Sequence, residues 1–355
     1  MTGIKKVTTV IMVAVLCMAC FAGCKKGADT KVVLTTGFAR NEIFRIEDIS
    51  CITPEIMVYL TNIQNRYEAV YGESIWDTQI DGVTLEENVK ETALARIAQT
   101  KAMTLLAKKH QVELDDSEKQ LVKEAADAYY ESLNDTEITQ MGISEDTIHS
   151  LYEEYALSDK LYHYLIKDIN PEISDDEART ITVQHILIKT YSLDENGNKI
   201  EHTEYAKELS RQKANEIWQM ANEGQDFEEL AMEYSEDENI TYSFGKGEMQ
   251  KNLEEAGFGL GKGEISGVVE TDFGYHIMKC ISTFNKEATD ANKIKIVEQR
   301  KEEAFGKEYD DFVKTLTKNL NKELWATISF IHDDNVVTSD FFEVYDEYFK
   351  NVFQG

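Results

Sequence analysis

One stretch of this chain resists the helical reading that suits most of the rest. Ile181-Thr182-Val183-Gln184-His185-Ile186-Leu187-Ile188 is crowded with β-branched residues, and Tyr275 to Ile281 is a second apolar run of strand length. Such residues fit a pleated, half-buried surface. Val268 to Thr271 reads as another closing strand, with Phe273-Gly274 in the turn before Tyr275. Between the long strands, Phe227, Leu230, Ala231 and Tyr234 recur at helical spacing. Asp194-Glu195-Asn196-Gly197-Asn198 supplies a turn, the Asn-Gly pair being a strong hairpin signal, and it enlarges the loop after the first strand. Each long strand carries one histidine, His185 and His276, and the phrase FGKGEMQKNLEEAGFGLGKGEISGVV lies between them. The expected class is therefore α+β.

The flanks are helical. Thr53-Pro54-Glu55 opens a helix with proline in the first turn, followed by Ile56, Tyr59, Leu60, Ile63 and Tyr67 on one side. A second helix runs from about Leu85, a third opens at Asp116-Ser117-Glu118, and Ser144-Glu145-Asp146-Thr147 forms a capping box for another. Their apolar stripes predict a core; part of each face could instead form a groove for extended chains. Asn170-Pro171 marks a boundary, and a charged helix is expected from about Ala291 to Leu320. Apolar patches follow at Trp325 to Ile331 and Phe341 to Phe353.

The N-terminus bears on compartment. Lys5 and Lys6 precede an apolar run from Val7 to about Phe21, then Ala22-Gly23-Cys24. A basic start, a short apolar core and small residues make a secretory signal over residues 1–23. The run is shorter than the roughly 20 residues of a spanning helix. The Ala-Gly-Cys ending resembles a bacterial lipobox, which implies lipidation at Cys24 and an extracytoplasmic, membrane-anchored protein. Loss of the two signal lysines takes the formal charge from -29 to -31. Such a balance opposes binding to nucleic acid. Cys51 and Cys280 remain, far apart, and are expected as two buried unpaired thiols. No Cys/His spacing suggests a metal site.

The run of two strand histidines, intervening helix and glycine-rich phrase resembles the parvulin family of peptidyl-prolyl isomerases. The resemblance implies a small antiparallel sheet with surrounding helices over residues 177–283. The order of parts resembles the PrsA/SurA type of extracytoplasmic foldase. That likeness implies an all-α chaperone domain built from residues 24–176 and 284–355, the C-terminal segment packing on the N-terminal region. It also implies unfolded exported polypeptides as partners and no cofactor. Helical chaperone regions of this kind often pair, which leaves a homodimer open.

By the same resemblance, His185 and His276 are the paired histidines at the floor of the site. Asp237, in Tyr234-Ser235-Glu236-Asp237, lies close to the substrate carbonyl. Met249 and Leu253 line the proline pocket, Phe244 closes it, and Thr271 supports the histidines. The chain departs from the family after Asp237, where Glu238-Asn239-Ile240-Thr241-Tyr242-Ser243-Phe244 makes a shortened loop without the pocket leucine. Leu253 also replaces a phenylalanine, and Val268 stands where proline is common. Two readings follow: an anchored isomerase, or a chaperone whose parvulin domain only docks peptides.

Overall fold

The computed structural model describes residues 37–195 and 197–353. The signal segment and Cys24 lie outside the described residues. The chain divides into two compact units, one comprising residues up to Asp168 with those from Ala304 onward, the other Ile169–Glu303.

In the first unit, β1 (Glu42–Ile46) and β2 (Ile49–Ile52) form an antiparallel pair that feeds α1 (Thr53–Tyr71). Pro54 sits in the first turn, where an amide would have no helical partner anyway. The Glu55 carboxylate accepts the Ile52 N–H at 2.7 Å, closing the helix start. A short ribbon, β3 (Gln79–Ile80) with β4 (Val83–Thr84), leads to α2 (Leu85–Lys109). Then come α3 (Asp116–Ser132), α4 (Asp135–Met141) and α5 (Glu145–Ile166). Ile56, Tyr59, Leu60, Leu94, Ile97, Tyr129 and Tyr152 meet in the core. Buried among them, Lys101 Nζ lies 2.8 Å from Glu55 and 2.9 Å from Glu154.

The second unit is built on β5 (Ile181–Lys189), with β6 (Tyr191–Leu193) and β7 (Lys199–Glu201) as a hairpin after it. Helices α6 (Glu204–Asn222) and α7 (Phe227–Tyr234) precede β8 (Thr241–Phe244); α8 (Lys251–Phe258) precedes β9 (Val269–Thr271) and β10 (Gly274–Ser282). The antiparallel sheet has the order β8-β5-β10-β9, so both histidine strands are central. One face packs Ile186, Ile188, Tyr275 and Ile277 against Ala214, Ile217, Phe227 and Leu230 of α6 and α7. Gly274 has a φ of 140°, and a Cβ there would strike the Ile188 carbonyl oxygen. Only glycine lets β10 start so close to β5.

The long charged helix α9 spans Lys286–Val313, not 291–320. Its first two thirds, residues 286–303, belong to the second unit rather than to the C-terminal segment, and Thr289 Oγ1 there accepts the Thr180 N–H at 3.1 Å while Asn292 donates to the Ala178 carbonyl at 3.0 Å. Lys318–Leu320 is instead a strand, β11, paired antiparallel with β1. The exposed N–H and C=O row of β1 is satisfied by a neighbouring strand, a demand that helical periodicity does not reveal. The first unit is therefore corrected from all-α to helical with a three-stranded sheet, while the α+β class stands. After α10 (Lys322–Trp325), an extended run reaches α11 (Phe341–Phe349). Asn65 donates to the Val336 and Thr338 carbonyls, and the Phe341 ring stacks on Tyr152 at 4.5 Å.

Candidate active site

Strand alternation builds the site. Along β5, Ile181, Val183 and His185 point to the face opposite the helix-packed one, and β10 sends His276 and Met278 the same way. His185 pairs with Met278 across the ladder and His276 with Leu187, so the two histidines are diagonal neighbours. His185 Nε2 lies 2.7 Å from His276 Nδ1, with the rings stacked at 4.9 Å between centroids. Both are about 5 % exposed (5 % and 4 %). Beside them, Ile181, Val183, Phe244, Leu253 and Met278 form an apolar cluster, with Tyr242 and Met249 packed at its edge.

The loop after α7 brings in the carboxylate. The Leu187 N–H donates to Ser235 Oγ at 3.2 Å, and the Glu236 N–H donates to the Leu187 carbonyl at 2.8 Å. These bonds pin Ser235-Glu236-Asp237 along β5 and leave Asp237 Oδ2 3.7 Å from His185 Nδ1. Met249 and Leu253 are held from the other side, where Gln250 donates to Asp272 and Asn252 to the Glu270 carbonyl. Phe244 and Leu253 are nearly wholly buried and form the floor of the cluster; Met249 is half-buried at its rim.

The hydrogen-bond partners are consistent with one arrangement of protons. The Phe273 N–H donates to Thr271 Oγ1 at 3.1 Å, and that hydroxyl lies 2.6 Å from His276 Nε2. With the Thr271 proton directed at His276 Nε2, the neutral His276 ring carries its proton on Nδ1 and donates to His185 Nε2. His185 then holds its proton on Nδ1, facing the Asp237 carboxylate, and this nitrogen has no hydrogen-bond partner of its own. Burial lowers the His185 pKa, with Asp237 opposing the fall. Burial first and the neighbouring His185 second lower His276 to about 3. Both rings are neutral at neutral pH.

All seven expected site side chains within the described residues thus gather on one face or at its rim: His185, Asp237, Phe244, Met249, Leu253, Thr271 and His276. One residue escaped the sequence reading. Residues 241–244 are not loop but the edge strand β8, and the Tyr242 hydroxyl donates to Asp237 Oδ2 at 2.8 Å. The Tyr242 ring also meets His185 edge-on at 5.5 Å. The signal was the alternation of Tyr242 with Phe244, which register against Val183 and Ile181.

Residues 165–287 match the model of the PPIC-type PPIASE domain. The fold and the site thereby define a parvulin-type peptidyl-prolyl isomerase. The chain is 30% identical over 250 residues to "Foldase protein PrsA" of Geobacillus kaustophilus, covering 65% of this chain and 76% of that one. The same-named protein of Caldanaerobacter subterraneus subsp. tengcongensis is 26% identical over 254 residues, 69% of this chain and 74% of its own. "Peptidyl-prolyl cis-trans isomerase pin1" of Schizosaccharomyces pombe is 34% identical over 146 residues, 38% of this chain and 83% of its own. The chain belongs to the PrsA foldase family, and its activity is that of a peptidyl-prolyl cis-trans isomerase.

Proposed function

We propose that this foldase works outside the cytoplasm, anchored through a lipid on Cys24, and that His185, His276 and Asp237 run its isomerase chemistry on unfolded exported polypeptides. The anchor and compartment rest on the pattern Lys5-Lys6, apolar run, Ala22-Gly23-Cys24. The proposed chemistry rests on one observation: two imidazoles 2.7 Å apart beside an apolar cluster and a carboxylate.

Rotation about an X-Pro bond must overcome a barrier that partial C–N double-bond character sets at about 18–20 kcal/mol for amides generally. No covalent bond has to break. A planar amide places partial negative charge on its oxygen; twisting removes the conjugation and part of that charge. A carbonyl oxygen held near the Asp237 carboxylate is therefore less unfavourable when twisted than when planar, which is differential binding of the transition state. The prolyl ring would lie on the apolar cluster, over Phe244 and Leu253 and against Met249. The neutral histidine pair would keep the floor rigid without drawing in the water that a charged ring requires. Thr271 Oγ1, 2.6 Å from His276 Nε2, would orient that ring.

The test is a proline-peptide isomerisation assay on the mature chain. His185→Ala and Asp237→Ala are each expected to lower kcat/KM by about ten-fold or more, the scale of a lost charged contact. Wild-type rates in both variants would remove these residues from the chemistry. For the anchor, Cys24→Ser is expected to move the protein from the membrane fraction to the soluble one; retention on the membrane would overturn that part.

A further inference from the structure

We infer that Tyr242 is a positioning residue of this site, holding the Asp237 carboxylate against the histidine pair; the inference rests on the isomerase reading of Asp237 above. Asp237 stands on a loop, and its own side chain is partly open to solvent (27 % exposed). Left to itself, a carboxylate in that setting would sample several rotamers. Two contacts divide its oxygens. Oδ1 accepts the Glu238 N–H at 2.8 Å, a bond within the same loop, and Oδ2 accepts the Tyr242 hydroxyl at 2.8 Å. Oδ2 is also the oxygen that faces His185 Nδ1. The phenol therefore selects which oxygen faces the imidazole and fixes its direction.

Tyr242 is itself well held. It lies in strand β8, opposite Val183 in the ladder, so its backbone is set by the sheet. Its ring is wedged between the His185 ring, at 5.5 Å, and the apolar cluster of Ile181, Val183, Phe244, Leu253 and Met278. A rigid aromatic body with a polar tip can join an apolar slot to a carboxylate, as no aliphatic side chain could. Burial and the adjacent Asp237 raise the pKa of the phenol above its ordinary value, so it stays a donor throughout the working range.

The role is separable from packing. Tyr242→Phe keeps the ring and removes only the donor. It should lower kcat by about ten-fold while KM changes less than about two-fold, because binding surface is retained and carboxylate placement is lost. Repeating the substitution in an Asp237→Ala background should change kcat/KM by less than about two-fold, since a residue acting through Asp237 has nothing left to hold. In full-length protein labelled with 13C-tyrosine, the resonance lost in Tyr242→Phe identifies Tyr242; it should titrate at lower pH in Asp237→Asn than in wild type. Equal losses in both backgrounds, or wild-type activity in Tyr242→Phe beside an impaired Asp237→Ala, would overturn the inference and leave the isomerase reading intact. Wild-type activity in Asp237→Ala itself would overturn both.

Discussion

Lowering the pH should destabilise the isomerase unit through His276 before most carboxylates are involved. The His276 pKa falls from an ordinary 6.5 to about 3, chiefly through burial and secondly through His185. A shift of that size corresponds to something on the order of 5 kcal/mol between the two protonation states. The sign follows from proton binding. Between the two values the unfolded chain holds a proton on this ring and the native protein does not, so stability falls as pH falls. Stability is complete above pH 6.5 and is lost progressively toward pH 3. By pH 5, roughly 2 kcal/mol should be gone from this ring. His185, lowered by burial, acts in the same direction. The assay is a titration of histidine ring protons by NMR, assigned with His185→Gln and His276→Gln, together with urea unfolding from pH 8 to 5. A His276 titration near its ordinary value in the native protein, or an unchanged pH slope of stability in His276→Gln, would refute the reasoning.

Two further outcomes follow from the packing. Gly274→Ala should cost about 1–3 kcal/mol from backbone conformation alone, and more if the Ile188 carbonyl cannot yield. Because β10 would shift two residues before His276, isomerase activity should fall along with denaturant stability; wild-type values for both would refute this. In the first unit, Lys101→Met would leave the carboxylates of Glu55 and Glu154 without their cation. The expected loss is about 3–5 kcal/mol, read by urea unfolding through Trp76 and Trp325. Glu154→Gln in the same chain should restore part of it, since burial already holds the Glu154 pKa up.

The two histidine strands and the helix between them were legible because the period of burial is written locally. A β-branched, partly alternating run marks Ile181 to Ile188 as a strand from its own residues; that His185, Val183 and Ile181 share a face is shown by the ladder. Helix starts were equally local: Pro54 and Glu55, or Ser144 with Thr147, satisfy backbone donors within three residues of themselves. The lipidation pattern at Cys24 lies outside the described residues.

What sequence could not decide depends on partners far along the chain. Lys318–Leu320 reads as the tail of a charged helix and becomes a strand because β1, more than 270 residues earlier, has an unsatisfied edge. Tyr242 reads as loop because the segment is short and polar; only pairing with β5 turns its hydroxyl toward Asp237. The diagonal register that brings two imidazoles to 2.7 Å is likewise a property of the β5–β10 ladder, helped by Gly274 at its start. Local chemistry thus determined the long helices and the two histidine strands, but not the short strands β8 and β11. Tertiary pairing decided which faces meet, because hydrogen bonds between strands and the burial of their shared face are free-energy terms that no single segment contains.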